Sequence, residues 1–578
     1  MPWRHLGVLL FISALATWPG LVHGIVNGHD ILNHVMWHTN FARQFWQGDL
    51  YPRWLSDFYG GFGSPVFFFY GPIPFYVGAF IFFLLSGVLQ PVQQLALSAG
   101  FSFFISGVGV YYWLGHRFSR NGALAGAVFY IFMPYHLGID FYLRFAYGEL
   151  WAMAFLPYLL LFVDGVIEEK PHARVGLSLF YMLLIMTHLP TTLMASPLLL
   201  LYAIVGAGRA LWVKVLLRLA GGLALGICLA SVYFIPAMTL QHATHIHTMQ
   251  SGTLYYGQNF LFDDTTGGDR LWGHLRLMAA MTIFTFCLLL PALAIGLWRI
   301  KAGSRVILFW MGAAFSALFM MLPISKPIWD LLPALQKVQF PWRFHIILCI
   351  AAVPLLIHAV QSLSSRGGGS VWAGRAFAAL VLATLLVPHA FPFLANPNFK
   401  SLVSKNGFSA EQQRFLDHNY GSLEHVPIYA QQESIREALF ALNRYGIEAG
   451  TGSVAILTWA PRKIVMEVNA QTDLTMWVKQ FYFPGWTART PDRDVAVSLF
   501  PMEQLGLLGL SIPRGQHTIA IGLAPNRPET IGWLASGLCF LGLAIHYLRA
   551  VWRKGKVTLA ENAGGRTVEL KGTGYGPQ

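Results

Sequence analysis

Long apolar runs constrain this sequence more than any other feature, because about twelve of them are long enough to cross a membrane as helices. Charged residues make up only 11% of the chain, whereas an ordinary soluble protein has about 25%. Such a chain cannot cover a soluble surface with polar groups, so it must contact lipid. We predict a mainly α, polytopic membrane helix bundle, which excludes a soluble enzyme, a disordered regulator and a disulfide scaffold. The runs fall near 5–22, 92–114, 121–138, 149–167, 174–188, 190–207, 214–236, 275–298, 306–323, 343–361, 371–392 and 529–549.

Basic residues predict the orientation of the bundle, because loops rich in Lys and Arg stay in the cytoplasm. The net charge of +13 is therefore an orientation signal, and no nucleic-acid partner is expected. All basic clusters are cytoplasmic only if residues 72–89, which include Pro72 and Pro74, form a re-entrant or interfacial helix. The alternative is a true span with one basic cluster on the other side. The clusters are Arg117/Arg120, Lys170/Arg174, Arg209/Lys214, Arg299/Lys301/Arg305 and Arg553/Lys554/Lys556.

The sequence divides into four parts. Residues 1–392 hold the predicted bundle, with a long first outer loop at 23–91. In residues 393–528 the apolar runs shorten and alternate with polar residues, which predicts an extracytoplasmic β-rich domain. Residues 529–549 predict the last transmembrane helix, and the polar, Gly-rich tail at 550–578 is expected to be cytoplasmic and disordered. The predicted strands are Val454–Trp459, Lys463–Val468, Leu474–Phe483, Val495–Phe500, Leu507–Ile512 and His517–Ile521, preceded by helical segments at 410–416 and 433–442.

The first outer loop is dense in groups that suit catalysis or binding. Asp30 follows the first helix and lies beside the imidazoles of His29 and His34. A carboxylate in this position suits a divalent metal ion or general-base catalysis. The alternative for Asp30 is a helix cap or a solvated loop acid.

Three further outer segments carry candidate residues. Glu149 opens a membrane helix shortly after Arg144, and a carboxylate so near the membrane interior is unfavourable unless it has a function. Capping of the helix N-terminus is the alternative. His188 lies between two apolar runs, where a packed or capping histidine is the alternative. Trp342 and Arg343 precede another span on the outer side.

Arginines at the outer face oppose the orientation rule, so Arg53, Arg144, Arg270 and Arg343 need another partner. An anionic lipid phosphate suits a guanidinium group, while snorkelling beside Trp342 is the alternative. The sequence has no phosphate-binding loop, dinucleotide fingerprint or GxSxG motif, so an outward-facing enzyme needs a substrate that is already activated. A phospholipid-linked sugar has this property because its phosphate is a leaving group.

An ordered set of motifs resembles a bacterial family of membrane proteins. The sequence is similar to the family described as 6-pyruvoyl-tetrahydropterin synthase-related, and to the neighbouring YfhO-type proteins, although it contains no soluble pterin-enzyme motif. These families are similar to the GT-C superfamily of membrane glycosyltransferases. The motifs are Asp30, Gly48–Trp54, Tyr70–Tyr76, Glu149, Thr187–Pro190, Gln339–Arg343 and Tyr482–Trp486.

The resemblance implies a catalytic carboxylate in the first outer loop, an interfacial segment after it and a second acid in the next outer loop. Asp30 matches the first position, residues 72–89 match the segment, and Glu149 matches the second acid. Oligosaccharyltransferases have an acid pair where this chain has Glu149 alone. This departure weakens the implied metal dependence; the candidate ligands of a divalent cation, Mg²⁺ or Mn²⁺, are Asp30 and Glu149, and no other cofactor is expected.

The predicted activity is transfer of a sugar from a polyprenyl-phosphate donor to a glycan, lipid or protein acceptor at the outer membrane face. The expected location is a bacterial inner membrane with both termini in the cytoplasm. The alternatives are a non-catalytic assembly protein for surface polysaccharide and a lipid–glycan transporter. The catalytic candidates are Asp30 and Glu149, and the substrate-binding candidates are His29, His34, Arg53, Arg144, His188, Trp342 and Arg343.

Overall fold

The fold is described from a computed structural model. The described residues are 1–26, 28, 30–263, 269–298, 305–364, 367–395, 402–404, 423–431, 434–435, 442–490 and 497–564. His29, the predicted helical segment 410–416 and most of the predicted segment 433–442 lie outside these residues, as does the tail from 565.

The predicted mainly α membrane bundle is confirmed. In the described part of the chain, nine helical segments are long and apolar enough to cross a membrane. This number is below the predicted twelve, although each of the twelve predicted runs is helical. The nine are Trp3–His23, Pro91–Leu114, Arg120–Leu143, Tyr147–Ile167, Leu189–Ala207, Trp212–Leu229, Leu275–Ile295, Pro341–Ser364 and Arg527–Arg549.

The remaining three runs differ from simple spans. Arg305–Met321 and Pro323–Leu331 are two helices that meet at a 90° bend, and together they have the length of a tenth span. Ala173–Ile185 has only 13 residues, fewer than the roughly 17 that a span requires. In the helix Gly367–Ala395, the apolar stretch Val371–Leu386 is likewise short.

The segments that were predicted to be outer loops hold more helix than expected. The prediction ended one span at 138 and placed an outer loop at 139–148. Instead, the α-helix Arg120–Ile131 is followed by a π-helical segment at Pro134–Leu143, because apolar residues that pack in the core continue beyond the predicted end. In the first outer loop, Ile31–Trp46 and Ile73–Leu85 are helices. Short helical pieces follow at Phe58–Gly61 and Val66–Phe69. Short helical pieces also follow Trp212–Leu229 and Pro323–Leu331. They are Ser231–Thr239, Gln241–Ala243, Ile246–Gln250, Gly252–Leu254, Tyr256–Gln258 and Pro333–Gln336.

The helix Ile73–Leu85 occupies most of the segment that was predicted not to cross. Its 13 residues extend about 20 Å, which is less than the roughly 30 Å of a bilayer core. It packs on the helix Ile31–Trp46, where Trp46 stacks on Phe83 with ring centroids 4.3 Å apart.

The last helix is longer than predicted. Arg527–Gly564 is one helix of 38 residues, so the helix continues into the first part of the segment for which disorder was predicted. This part contains good helix formers such as Lys, Leu, Ala and Glu and no proline, and the helix ends at the glycine pair that begins with Gly564.

The predicted C-terminal β-rich domain is confirmed. Two four-stranded antiparallel sheets have the orders β4-β5-β10-β7 and β3-β6-β9-β8. Alternate side chains of β5, β6 and β10 are buried, as expected for sheets with one face in a core. The strands are β3 Tyr445–Ala449, β4 Gly452–Ala460, β5 Lys463–Ala470, β6 Leu474–Phe481, β7 Trp486–Arg489, β8 Ser498–Pro501, β9 Leu507–Ile512 and β10 Gly515–Leu523.

A small separate sheet joins the N-terminal loop to the segment after the bundle. Strand β1 (Gly24–Val26) pairs antiparallel with β2 (Leu402–Ser404). Strand β1 follows the first helix, and its backbone groups need hydrogen-bond partners. Strand β2, from the predicted outer domain, supplies them.

The β-rich domain packs directly on the first outer loop. The Gln480 amide donates to the carbonyl oxygens of Ser56 and Gly61 and accepts from Trp54 Nε1 at 2.8 Å. The Phe481 amide also donates to the Phe62 carbonyl. The domain is therefore held by buried hydrogen bonds to the loop and does not stand apart from the bundle.

Candidate functional site

A close backbone approach positions Asp30. A Cβ atom at Gly28 would lie 1.9 Å from the Leu143 carbonyl oxygen, so only glycine fits here. The Asp30 amide donates to the Arg144 carbonyl at 3.1 Å. The Asp30 carboxylate makes no capping hydrogen bond to the helix Ile31–Trp46, and its side chain is 40% exposed. The capping alternative is therefore not realised.

Glu149 lies in the first turn of the helix Tyr147–Ile167 and is buried. Its Oε1 accepts from the Tyr135 hydroxyl at 2.5 Å. Its Oε2 accepts from Arg144 Nη1 at 3.1 Å and lies 3.3 Å from Arg343 Nε. Both carboxylate oxygens are thus engaged, so the side chain holds two cations in place.

Arg144 joins these acids. Its Nη1 also donates to Asp140 Oδ1 at 3.0 Å, and its Nη2 lies 4.0 Å from Asp30 Oδ2. Its guanidinium carbon lies 4.5 Å from the centroid of the Trp342 ring. One buried guanidinium therefore contacts three carboxylates and an indole face. We call the group the acid–arginine cluster, and its members are Asp30, Asp140, Arg144, Glu149 and Arg343.

Arg343 comes from a distant part of the chain. It lies in the 3₁₀ turn Pro341–Phe344, directly before the helix His345–Ser364. Its Nη1 donates to the Val338 carbonyl at 2.7 Å and to Gln339 Oε1 at 3.3 Å. These bonds fix the guanidinium beside Glu149.

His188 caps a helix. It is the N-cap residue of Leu189–Ala207, and its Nδ1 accepts from the Thr191 amide and contacts the Thr191 hydroxyl at 2.7 Å. Burial lowers its pKa to about 3, so the ring is neutral at physiological pH. The capping alternative describes its contacts, although it lies near enough to Glu149 for the two to interact electrostatically.

His34 lies one turn after Asp30 in an aromatic environment. Its ring lies 5.4 Å from Trp37 and 5.7 Å from Tyr70, measured between centroids. Neither ring nitrogen has a hydrogen-bond partner in the part of the chain that is described. Burial lowers its pKa to about 4, against a smaller opposing effect of Asp30.

Arg53 does not join the cluster. Its Nη1 donates to Glu529 Oε1 at 2.5 Å, and its Nη2 donates to the Val232 carbonyl at 2.6 Å. The stacked ring of Tyr51 lies 4.2 Å from its guanidinium carbon. Glu529, at the start of the last helix, is the partner that the sequence left unidentified for this outer arginine.

Two residues of the site, Asp140 and Tyr135, were not among the candidates predicted from the sequence. Asp140 is fully buried, and its Oδ2 lacks a hydrogen-bond partner within the described residues. Tyr135 donates to Glu149 and stacks on His345 at 4.8 Å. The signal that could have identified Asp140 is its spacing to Arg144, since acids and arginines four residues apart meet in helical segments.

The acids do not fit a shared divalent cation. The described residues contain no group of three or more His, Cys, Asp or Glu side chains placed to hold a metal ion. The Arg144 guanidinium contacts both Asp30 and Glu149, so a cation bridging those carboxylates would meet a fixed positive charge. No step below uses a metal ion.

The solved structures that resemble this chain include AftD and ArnT. The arabinofuranosyltransferase AftD from Mycobacteria is 16% identical with a TM-score of 0.42, and the match covers 68% of this chain and 27% of AftD. ArnT from Cupriavidus metallidurans, solved bound to undecaprenyl phosphate, is 16% identical with a TM-score of 0.38. That match covers 74% of this chain and 82% of ArnT. The chain thus spans about a quarter of the length of AftD.

No curated protein matches this chain in sequence. A family model described as "6-pyruvoyl-tetrahydropterin synthase related domain; membrane protein" matches residues 67–394. The match includes four of the five members of the acid–arginine cluster and confirms the family predicted from the motifs. Because it covers more than half of the 578 residues, the chain belongs to the 6-pyruvoyl-tetrahydropterin synthase-related family of membrane proteins.

Proposed function

We propose that this protein is a membrane glycosyltransferase that moves a sugar from a polyprenyl-phosphate donor to an acceptor hydroxyl. The observation that supports the proposal is the difference in exposure between Asp30 and Glu149, the two acids that contact the Arg144 guanidinium. Asp30 is 40% exposed, whereas the Glu149 side chain is 1% exposed. An accessible carboxylate beside buried cations suits a reaction with a general base on the acceptor and a negatively charged leaving group.

In the proposed reaction Asp30 takes the proton of the acceptor hydroxyl. The acceptor oxygen forms a bond to the anomeric carbon of the sugar. The bond between that carbon and the phosphate oxygen breaks, and its electron pair leaves with the phosphate. Arg343, with Arg144 behind it, stabilises the negative charge that develops on this phosphate. Glu149 acts as a positioning residue that keeps both guanidinium groups in place.

The other candidates have supporting parts in the proposal. The aromatic side chains around His34, and the indole of Trp342, offer faces on which a sugar ring can stack. His188 caps the helix Leu189–Ala207. Arg53 holds the first outer loop against the last helix through its ion pair with Glu529. We propose the outer face of a bacterial inner membrane as the place of the reaction, with a glycan, lipid or protein as acceptor.

The substitution Asp30→Asn tests the proposed function. It removes the base and keeps the size of the side chain, so we expect glycan product in membranes to fall by a factor of about 100 or more, the usual contribution of a general base. Asp57→Asn is the matched control, because Asp57 is an exposed acid of the same loop outside the cluster. The assay measures sugar transferred from a polyprenyl-phosphate donor.

Unchanged product with Asp30→Asn would overturn the enzymatic proposal, provided that expression and thermal unfolding match the parent protein. A non-catalytic role in polysaccharide assembly would then take its place. Loss of product with both Asp30→Asn and Asp57→Asn would also count against the proposal, since it would point to the loop as a whole.

A further inference from the structure

A stripe of side chains runs from Asp30 along one face of the helix that follows it. Asp30 is the N-cap residue of Ile31–Trp46, and His34 and Trp37 come four and seven residues after it, which is the spacing of one helix face. At 1.5 Å per residue the stripe extends about 10 Å. The Asp30 side chain is 40% exposed, whereas His34 and Trp37 are buried. The stripe therefore begins at the proposed base and continues into the protein.

Two side chains from distant parts of the chain pack on Trp37. The ring of Tyr70, from the first outer loop, lies 4.8 Å from the Trp37 ring, measured between centroids. The ring of His425, from the segment between the bundle and the β-rich domain, lies 6.0 Å from it. His34 lies 5.4 Å from Trp37 and 5.7 Å from Tyr70. We call these four residues, His34, Trp37, Tyr70 and His425, the aromatic site.

The aromatic site contains buried polar atoms that the protein does not satisfy. Trp37 Nε1, His425 Nδ1 and both ring nitrogens of His34 have no hydrogen-bond partner among the residues that the structure describes. None of these three residues is more than 5% exposed. An unsatisfied polar atom in the interior is unfavourable, and few occur in folded proteins. Three such residues around one indole ring therefore indicate a binding site for a polar ligand.

The accessible side of the aromatic site faces the acid–arginine cluster. Tyr70 is half-buried, and a Cβ atom at Gly148 would lie 3.4 Å from its hydroxyl oxygen. Gly148 belongs to the first turn of the helix that carries Glu149. Tyr70 is also near enough to Asp30 for the two to interact electrostatically. A ligand that occupies the aromatic site can therefore reach the Asp30 carboxylate.

The side chains of the aromatic site are uncharged at physiological pH. Burial lowers the pKa of His34 and of His425 to about 4, and burial raises the pKa of the Tyr70 hydroxyl. Indole, imidazole and phenol groups offer hydrogen bonds to hydroxyl groups and flat faces for the apolar side of a sugar ring. A carboxylate or phosphate would lose its hydration here without gaining a cation among these four residues. The chemistry of the site therefore suits an uncharged sugar.

We propose that the aromatic site binds an uncharged sugar residue of the acceptor, and that the acceptor is therefore a glycan. In the proposed reaction the acceptor is the molecule whose hydroxyl gives its proton to Asp30, and the stripe leads from Asp30 into the aromatic site. Trp37, Tyr70 and His425 hold this sugar by hydrogen bonds and ring contacts. The inference rests on the proposed function, since only that reaction makes the bound sugar an acceptor.

The test measures glycan binding by the full-length protein in detergent, so that it does not require turnover. The probes are immobilised neutral oligosaccharides of glucose, galactose, mannose and arabinose, with oligosaccharides that contain a uronic acid for comparison. We expect the parent protein to bind at least one neutral oligosaccharide and to bind neutral oligosaccharides more tightly than acidic ones.

Two variants remove single donors of the site. Trp37→Phe and His425→Leu should each weaken the binding of the neutral oligosaccharide about fivefold, as for the loss of one hydrogen bond between uncharged groups. Trp486→Phe is the matched control and should bind as the parent does. Trp486 is a buried tryptophan of the β-rich domain, and its Nε1 also lacks a partner within the described residues.

The proposal fails if no neutral oligosaccharide binds the parent protein, or if acidic ones bind more tightly. Equal affinities of the parent, Trp37→Phe and His425→Leu would also overturn it, and would assign the unpartnered nitrogens to buried water. An equal loss with Trp486→Phe would overturn it as well, because the loss would then reflect general stability.

Asp30→Asn separates this inference from the proposed function. If that variant transfers sugar as the parent does while Trp37→Phe weakens glycan binding, the proposed function fails and the glycan site remains. If Asp30→Asn loses transfer while Trp37→Phe and His425→Leu bind glycan as the parent does, only the glycan site fails.

Discussion

At the scale of residues, the candidate site depends most on Arg144. Its guanidinium is buried against Asp140 and Glu149 and reaches the exposed acid Asp30. A buried cation is stable only while its partners are present, because an unpaired charge in the interior is unfavourable by several kcal/mol. The geometry of the site is therefore sensitive to conservative changes at its partners.

We expect Asp140→Asn to lower the rate of sugar transfer about tenfold or more. The substitution removes the anion that holds Arg144 Nη1 at 3.0 Å, and a hydrogen bond to a charged group contributes about 1.5–3 kcal/mol. Initial rates in isolated membranes measure the effect. Asp164→Asn is the control, since Asp164 is a buried acid that pairs with Arg117 at 2.7 Å outside the cluster. An equal loss in both variants would indicate general destabilisation.

The buried His34 predicts a dependence of stability on acid. Its pKa falls from 6.5 unfolded to about 4 when folded, so the unfolded chain binds a proton more readily between these values. The contribution of the neutral His34 ring to the free energy of unfolding is complete above pH 6.5. It is lost as the pH falls to about 4, and the loss is at most about 3 kcal/mol.

The variant His34→Leu isolates this contribution. Thermal unfolding midpoints of the parent protein should fall more steeply between pH 6.5 and pH 4 than those of the variant, because leucine does not titrate. His38, which is also buried with a pKa lowered to about 4, remains in both proteins and cancels. Parallel curves for the two proteins would show that His34 is not buried in its neutral form.

At the scale of elements, the short helix Ile73–Leu85 determines how the chain passes through the membrane. It is too short to cross alone, and Phe80, Phe83 and Leu84 on it are exposed. An exposed apolar face on a short helix suits a position in the membrane interface, where the apolar side chains enter the lipid.

We therefore expect Gln90→Cys, in a protein whose four native cysteines are replaced, to react with a membrane-impermeant maleimide added from the periplasmic side. Gln90 follows the short helix and precedes the span Pro91–Leu114. Arg120→Cys, at the other end of that span, should react only after the membrane is permeabilised. Labelling of residue 90 only after permeabilisation would contradict the orientation.

At the scale of the whole molecule, one buried ion pair fastens several parts together. Arg53 of the first outer loop pairs with Glu529 of the last helix and donates to the carbonyl of Val232. Arg462 of the β-rich domain lies 3.6 Å from Glu529 and 3.9 Å from Asp49. Loop, domain and last helix therefore meet at Glu529.

Removal of Arg53 and Glu529 together should destabilise the protein less than the sum of the two single removals. Removing one partner of a buried ion pair destabilises a protein by about 3–5 kcal/mol. In Arg53→Met, Arg462 still lies 3.6 Å from Glu529 and offsets part of this loss. The double variant Arg53→Met/Glu529→Gln should unfold at a higher temperature than the sum of the single changes predicts. Additive effects in thermal unfolding would show that the two side chains do not interact.

How far the site could be predicted depends on which interactions are local. Charge and the order of the apolar runs predict one membrane face for Asp30, Glu149 and Arg343. In the structure Asp30 and Glu149 lie within 4.0 Å of Arg144, and Arg343 lies 3.3 Å from Glu149. Arg53 shows the limit. Its partner Glu529 is 476 positions away, and no local pattern connects two such residues.

The sequence by itself determined the membrane class and most strand positions. Span length and alternating burial are periodic properties of neighbouring residues, which is why β9 has its predicted bounds of Leu507–Ile512. The tertiary structure alone decided which acids share a guanidinium, why Asp140 is buried, and how the β-rich domain packs on the loop through Gln480. These features depend on the close approach of distant backbone segments, as at Gly28 and Leu143, and on burial that removes water from charged groups. Neither is encoded in the spacing of residues along the chain.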